Sequence, residues 1–265
     1  MKIISNSERA VVKKDFSEIW DSKMARSTLL VLPVLLVVVI PIMFLVIIGN
    51  VPLNQMNGLD RMMQMLPQEA KSFAPRQSLY YLMTNSLFPM FFLMIPLMTS
   101  SVAAASSFVG EKERGTLETL ILTPLNLKQI FKAKVLGCIF LSAAVTALSF
   151  LLFAVIISIG DISLGMPFFL NWNWLVLILF LTPGITVFGV VFMVLVSAKS
   201  KSYIESIQTS GYIILPLILM FVGQFTGLFT LNAIIFLIVS ALVILADIPI
   251  WMLTARSFTA EKLLK

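Results

Sequence analysis

GEKERGTLETLILTPLNLKQIFKAKVLG, the stretch formed by residues 110–137, interrupts a chain that is otherwise almost continuously apolar. Its charged residues are Glu111, Lys112, Glu113, Arg114, Glu118, Lys128, Lys132 and Lys134. Because a charged side chain costs several kcal/mol at the centre of a bilayer, this stretch is predicted to lie outside the hydrocarbon. Its excess of Lys and Arg over Glu favours the cytoplasmic side of a membrane.

The same stretch carries signals for a short amphipathic helix between two turns. Gly115 is predicted to end the incoming helix, and Thr116 is a plausible N-cap with Glu118 in the first turn. Pro124 ends the helical pattern, and Asn126 can cap the next helix. Three apolar residues share one helical face: Leu117, Leu120 and Ile121. An ordinary solvated loop is the alternative interpretation.

The composition places the chain among integral membrane proteins. Of its 265 residues, 59% are hydrophobic and only 12% are charged. The sequence has no histidine and no GxxxxGK[ST] motif, which argues against His-ligated metal sites, Ser-His-Asp catalysis and a P-loop in this chain. Because the basic residues cluster at the ends of apolar segments, they indicate membrane orientation rather than nucleic-acid binding.

An all-α membrane fold with six spans is predicted between residues 27 and 253. Four spans lie at about 27–49, 78–109, 135–159 and 174–197, and the apolar segment 203–253 holds two more. Residues 1–26 are predicted to form an amphipathic helix on the inner leaflet, with Phe16, Ile19, Trp20 and Met24 at helical spacing. Trp172 and Trp174 are interpreted as an outer aromatic belt.

The distribution of basic residues predicts that both termini are cytoplasmic. Residues 1–26, the central stretch, the 199–201 loop and the tail 254–265 together hold 16 of the 19 Lys and Arg residues. The opposite side holds Arg61, Lys71 and Arg76. This asymmetry indicates a multi-pass protein of the cytoplasmic membrane.

The central stretch resembles the coupling-helix region of type-2 ATP-binding-cassette (ABC) exporter permeases. In that family a G-E-(K/R)-E-x-G-T-L-E-x-L-x-x-T-P-L run docks onto a separate ATPase subunit. The matching positions are Gly110, Glu111, Glu113, Gly115, Thr116, Leu117, Glu118, Leu120, Thr123, Pro124 and Leu125. The tail also resembles the family's F-x-x-E-K-L-L ending, at Phe258, Glu261, Lys262, Leu263 and Leu264.

The resemblance implies an N-terminal elbow helix at 1–26 and a cytoplasmic coupling helix at 111–124, between spans two and three. Leu117, Leu120 and Ile121 would fill a groove of the ATPase, and Gly110 and Gly115 would provide turns. Charged residues would pair with the rim of that groove. The residues assigned to ATPase coupling are Gly110, Glu111, Glu113, Arg114, Gly115, Thr116, Leu117, Glu118, Leu120, Ile121 and Pro124.

Polar and aromatic residues inside the spans are candidates for a transport pathway. Span two carries Asn85, Phe92 and Thr99 on one helical face, although small residues on that face also suit helix packing. Gln208 lies near the inner end of span five. Asp247 lies well inside span six, where an acid is a functional candidate unless a neighbouring helix pairs it.

The resemblance implies a non-catalytic permease subunit that exports an amphipathic, lipid-like, peptide or drug substrate. Two P-loop ATPase subunits would bind ATP and Mg, and a second copy or a related permease would complete the transporter within the lipid membrane. Sodium efflux is an alternative within the family. A secondary transporter or channel would predict inverted repeats, which the sequence does not show, and a non-transporting membrane anchor is a further alternative.

Overall fold

Helices account for the fold over the described residues, which are 6–50, 73–116, 126–197, 199–200, 202–226 and 231–257 of a computed structural model. The helices are α1 (Asn6–Asp21), α2 (Lys23–Asn50), α3 (Pro75–Glu113), α4 (Leu127–Leu164), α5 (Trp172–Ser197), α6 (Tyr203–Gln224) and α7 (Ala233–Ser257). Helices α2 to α7 are long and apolar enough to cross a membrane, and no strand occurs in the ranges given above. The all-α integral membrane fold with six spans is therefore confirmed.

Helix α4 extends at both ends beyond the span predicted at about 135–159, and it begins at the predicted cap, Asn126. Asn126 is its N-cap, and the Gln129 side chain accepts the Asn126 N–H at 3.0 Å. At the other end Gly165 has φ +63°, the left-handed conformation in which glycine commonly ends a helix. A helix of 38 residues spans roughly 57 Å at 1.5 Å per residue, almost twice a hydrocarbon core. Helix α4 is therefore long enough for its first turns, which carry lysines, to project beyond the hydrocarbon core.

Three of the spans contain a π-helical turn that ends two residues before a proline. These turns are Leu35–Val39 before Pro41, Met83–Leu87 before Pro89, and Leu177–Leu181 before Pro183. Proline has no N–H and its ring crowds the carbonyl one turn earlier, so a wider turn relieves the clash while the helix continues. In α3 a π-turn of this kind accommodates Pro89.

Helix α3 is the central helix, and it packs against α2, α4 and α5. An aromatic cluster joins these helices and the loop after α4; its rings are those of Phe92, Phe150, Phe153, Phe169 and Trp174. Trp174 is fully buried, and its indole N–H donates to the Thr84 carbonyl at 3.2 Å. The aromatic-belt prediction is therefore wrong for Trp174, because this ring faces α3. Trp172 is exposed.

Buried hydrogen bonds hold the loop after α4 against α3. Asp161 accepts the Tyr80 hydroxyl at 2.8 Å through Oδ1 and the Phe169 N–H at 2.9 Å through Oδ2. The Asn171 side-chain amide donates to the Asn85 side-chain oxygen. Since buried polar groups are costly when unpaired, these contacts fix the loop in one position.

Helices α3 and α5 approach each other closely at Gly189. A Cβ at this position would lie 2.0 Å from Ser100 Oγ and 3.2 Å from both the Leu97 carbonyl oxygen and Ser100 Cβ. The Ser100 hydroxyl can rotate, but the Leu97 carbonyl belongs to the backbone of α3. Small residues allow such close approach between membrane helices.

We expect Gly189→Ala to destabilise the bundle by about 1–3 kcal/mol, because the added methyl group overpacks the α3–α5 contact. Gly184→Ala is the matched control, since its Cβ would lie 3.5 Å from Ile244 and Val243, an ordinary contact distance. Thermal unfolding of both purified variants in detergent checks the difference. Equal melting temperatures for the two variants would contradict this account.

Candidate functional site

The end of α3 forms a well-defined helix stop. Gly115 has φ +67°, its N–H donates to the Lys112 carbonyl at 3.2 Å, and the Thr116 N–H donates to the Glu111 carbonyl at 3.1 Å. This pair of hydrogen bonds is a Schellman motif, and it confirms that Gly115 ends the incoming helix. Five predicted coupling residues lie outside the described ranges: Leu117, Glu118, Leu120, Ile121 and Pro124.

Gly110 does not provide a turn, in contrast with the sequence prediction. Its backbone is α-helical, with φ −59° and ψ −36°, and it is buried in the last part of α3. A Cβ there would lie 3.3 Å from the guanidinium of Arg114. The absence of a side chain at Gly110 therefore leaves room for Arg114 to fold back along the helix.

Glu111 is a buried carboxylate held by two lysines. It is 1% exposed, and Lys14 of α1 donates to its Oε1 at 2.9 Å. Lys134 of α4 forms an ion pair with its Oε2 at 2.9 Å. This contact does not have hydrogen-bond geometry, so Oε2 accepts no hydrogen bond among the described residues. Glu111 thus links the end of α3 to two other helices.

Lys134 is buried among oxygen atoms from α1 and α3. It is 2% exposed and donates to both carboxylate oxygens of Asp15 at 3.3 Å. It also donates to the Ser107 carbonyl at 2.9 Å and the Ser107 hydroxyl at 3.2 Å. The Ser107 hydroxyl in turn donates to Asp15 at 2.5 Å. Such a network satisfies an ammonium group that would be very unfavourable alone.

A second set of contacts extends this network towards the surface. Arg114 pairs with Glu18 at 2.8 Å, and Lys14 pairs with Glu18 at 3.3 Å. Glu113 accepts the Tyr203 N–H at 3.0 Å, which joins the end of α3 to the start of α6. We refer to the charged group as the ion-pair cluster; it consists of Lys14, Asp15, Glu18, Glu111, Arg114 and Lys134.

The ion-pair cluster contains as many acids as bases. Burial raises the pKa of the Asp15 carboxyl, while the Lys134 ammonium and the Ser107 hydroxyl act in the opposite direction. Carboxylate oxygens of Asp15, Glu18 and Glu111 lie within 4.8 Å of one another, close enough to share a cation. Each of these acids already contacts a lysine or arginine, so the compensating charge comes from the protein itself.

The sequence analysis did not identify four members of the ion-pair cluster: Lys14, Asp15, Glu18 and Lys134. One local signal was available, because Asp15 lies between Val11 and Ile19 at four-residue spacing, and all three are buried against the bundle. The predicted apolar face of α1 instead leaves Phe16 and Trp20 about half exposed. An acid on the buried face of an amphipathic helix predicts a basic partner.

The candidate pathway residues lie in three different settings. Asn85, Phe92 and Thr99 are buried inside the bundle, where Phe92 contacts the aromatic cluster and Thr99 donates to the Ile95 carbonyl at 2.8 Å. Gln208 is exposed on α6. Asp247 is buried on α7 and lines a groove between α5 and α7. Their role in a pathway stays a prediction.

We expect Lys134→Met to destabilise the protein by about 3–5 kcal/mol, because it leaves buried acids without their ammonium partner. Thermal unfolding in detergent measures this loss. Lys128→Met is the matched control, since Lys128 is exposed in the first turn of α4. Lys134→Arg should retain most of the stability. If Lys134→Met melts at the wild-type temperature, the Lys134 contacts do not hold α1 and α3 in place.

Comparison with known proteins identifies the family. A family model described as "ABC-2 family transporter protein" matches residues 9–249, which is most of the chain. Comparisons with curated proteins and with solved structures give no match. The family match covers five spans in full, most of the sixth, the end of α3 and most of α1. The chain therefore belongs to the ABC-2 transporter family and is a membrane permease of that family.

Proposed function

We propose that this chain is the permease subunit of an ABC exporter and that a separate ATPase subunit drives it. The match to the ABC-2 family over residues 9–249 carries this proposal. In this mechanism the segment from Glu113 to Pro124 docks onto the ATPase, whereas Gly110 and Glu111 are buried in the bundle and do not contact it. ATP binding and hydrolysis there move the segment, and the movement opens the permease alternately to the two sides of the membrane.

The contacts of the α3 end support a coupling role. Glu111 is paired with α1 and α4, and Glu113 is bonded to the first turn of α6. A displacement of this end must therefore displace three other helices or break buried ion pairs. Breaking such pairs is costly, so the α3 end, α1 and the start of α4 move together. In the proposed mechanism the ion-pair cluster therefore makes these helix ends move as one rigid unit.

The proposed partners are ATPase subunits, which would bind and hydrolyse ATP, and a second permease. The sequence contains no P-loop motif, so two P-loop ATPase subunits would bind ATP and Mg. A second permease copy, or a related permease, would complete the membrane part. The distribution of Lys and Arg supports a position in the cytoplasmic membrane with both termini and the coupling segment in the cytoplasm.

An amphipathic substrate suits the spans better than a hydrated ion. The aromatic and aliphatic side chains of the bundle favour a lipid-like molecule, a peptide or a drug. Sodium efflux is the second candidate, and one observation favours it: Asp247 is a buried acid on a membrane-spanning helix. Uptake of radioactive sodium into inverted vesicles, with and without ATP, separates the two candidates.

We expect Leu117→Asp and Glu113→Lys to abolish transport and ATPase coupling while the protein still inserts into the membrane. The first change places a charge on the predicted apolar contact with the ATPase, and the second removes the acceptor of the Tyr203 N–H. Copurification with the ATPase from the same operon or genome, followed by ATP hydrolysis assays in vesicles, measures both effects.

Lys13→Glu is the control for these variants, because it changes a charge on an exposed residue of α1 outside the ion-pair cluster. It should leave ATPase binding and hydrolysis close to wild type. Full activity of either Leu117→Asp or Glu113→Lys would show that the coupling segment does not dock as proposed. Transport by the purified chain without any ATPase would instead favour a secondary transporter.

A further inference from the structure

A groove with a volume of about 550 Å³ lies between helices α5 and α7. Its walls include Phe180, Pro183 and Val187 from α5, and Ile244, Asp247 and Trp251 from α7. Neighbouring residues Leu179, Ile248 and Met252 also line it and are more than half exposed. The groove therefore opens on the exposed surface of two helices that are long and apolar enough to cross a membrane.

Asp247 is the one ionisable residue among the described residues that line this groove. Its side chain is 8% exposed, and its Oδ1 has no hydrogen-bond partner in the described part of the chain. Other buried acids of the described ranges are satisfied differently: Asp161 binds Tyr80 and the Phe169 N–H, and Asp15 binds Lys134. A buried carboxylate without a partner is costly, so this position calls for a ligand that supplies one.

We propose that the α5–α7 groove binds an amphipathic ammonium compound, with one primary ammonium group on Asp247 and a single apolar chain along the walls. The ammonium group supplies both the charge and the hydrogen-bond donors that Asp247 lacks. The apolar walls bury the chain, and the volume is within the usual range of ligand pockets. This proposal goes beyond ATP-driven export, because it concerns binding by the permease itself.

The position of Asp247 favours an amine over a phospholipid. It lies ten residues before the end of α7 at Ser257, roughly 15 Å along the helix axis at 1.5 Å per residue. A phospholipid headgroup that reached Asp247 would bring its phosphate into a groove whose described lining offers no basic side chain to bind it. A single-chain amine brings one cation and no anion, so it matches the lone carboxylate.

Trp251 provides a spectroscopic test of this site, because it lines the groove while its ring packs edge-on against Phe131 at 5.8 Å. The full chain is reconstituted into phosphatidylcholine nanodiscs and titrated with a long-chain primary amine that carries bromine atoms on its chain. Bromine quenches tryptophan fluorescence only at short range. We expect saturable quenching that unbrominated amine reverses and that an alcohol of equal chain length does not reverse.

Asp247→Asn should weaken amine binding about tenfold to a hundredfold, because it removes a charge-assisted hydrogen bond while keeping the side-chain shape. Asp247→Glu should retain the preference for amine over alcohol, and Trp251→Phe should remove the saturable quenching. The assay requires no ATPase, so its failure would leave the proposed coupling function intact.

Three results would overturn the proposal. The first is equal affinity of Asp247→Asn and wild type for the amine. The second is equal competition by the alcohol and the amine, which would show that the groove binds apolar chains without regard to charge. The third is the absence of saturable quenching, as expected if a phospholipid or a second copy of the chain covers the groove.

Discussion

The arrangement of the helices at one end of the bundle depends on the buried ion pairs of the Lys134 ammonium group. It lies within ion-pair distance of Asp15 on α1 and Glu111 on α3, although it belongs to α4. An uncompensated buried charge is far more costly than any single packing contact, so these three helix segments can only be buried together. The Schellman motif at Gly115 follows directly after this fixed point and ends α3 there.

In the remainder of the bundle, the backbone N–H and C=O groups must form hydrogen bonds within the protein, because the interior of a membrane contains no water. Prolines in α2, α3 and α5 would interrupt the helices, yet π-helical turns before Pro41, Pro89 and Pro183 keep them continuous. The aromatic cluster around Trp174 fills the space between α3, α4 and the following loop. Close contacts such as Gly189 against Ser100 then bring α5 onto α3. A rigid bundle of this kind is compatible with the proposed coupling, in which an ATPase would impose movement at one end.

Features that depend on a local pattern of residues could be predicted from the sequence. Six spans follow from uninterrupted apolar length, and the end of α3 and the start of α4 follow from Gly115 and Asn126. Contacts between residues that are far apart in the sequence could not be predicted. Asp15 and Lys134 are 119 positions apart, and no periodicity links them. The inward orientation of Trp174 was missed because a tryptophan near the end of a span equally suits a membrane surface.

The contact between Asp15 and Lys134 also constrains the biogenesis of the protein. Asp15 leaves the ribosome before any span, whereas Lys134 follows 119 positions later, at the start of the third span. Until α4 has been synthesised and inserted, α1 cannot bury its acid without leaving a charge uncompensated. Helix α1, which precedes the six spans in the chain, is therefore among the later helices to reach its final place. Its burial depends on the second and third spans, which provide Glu111 and Lys134, being in position.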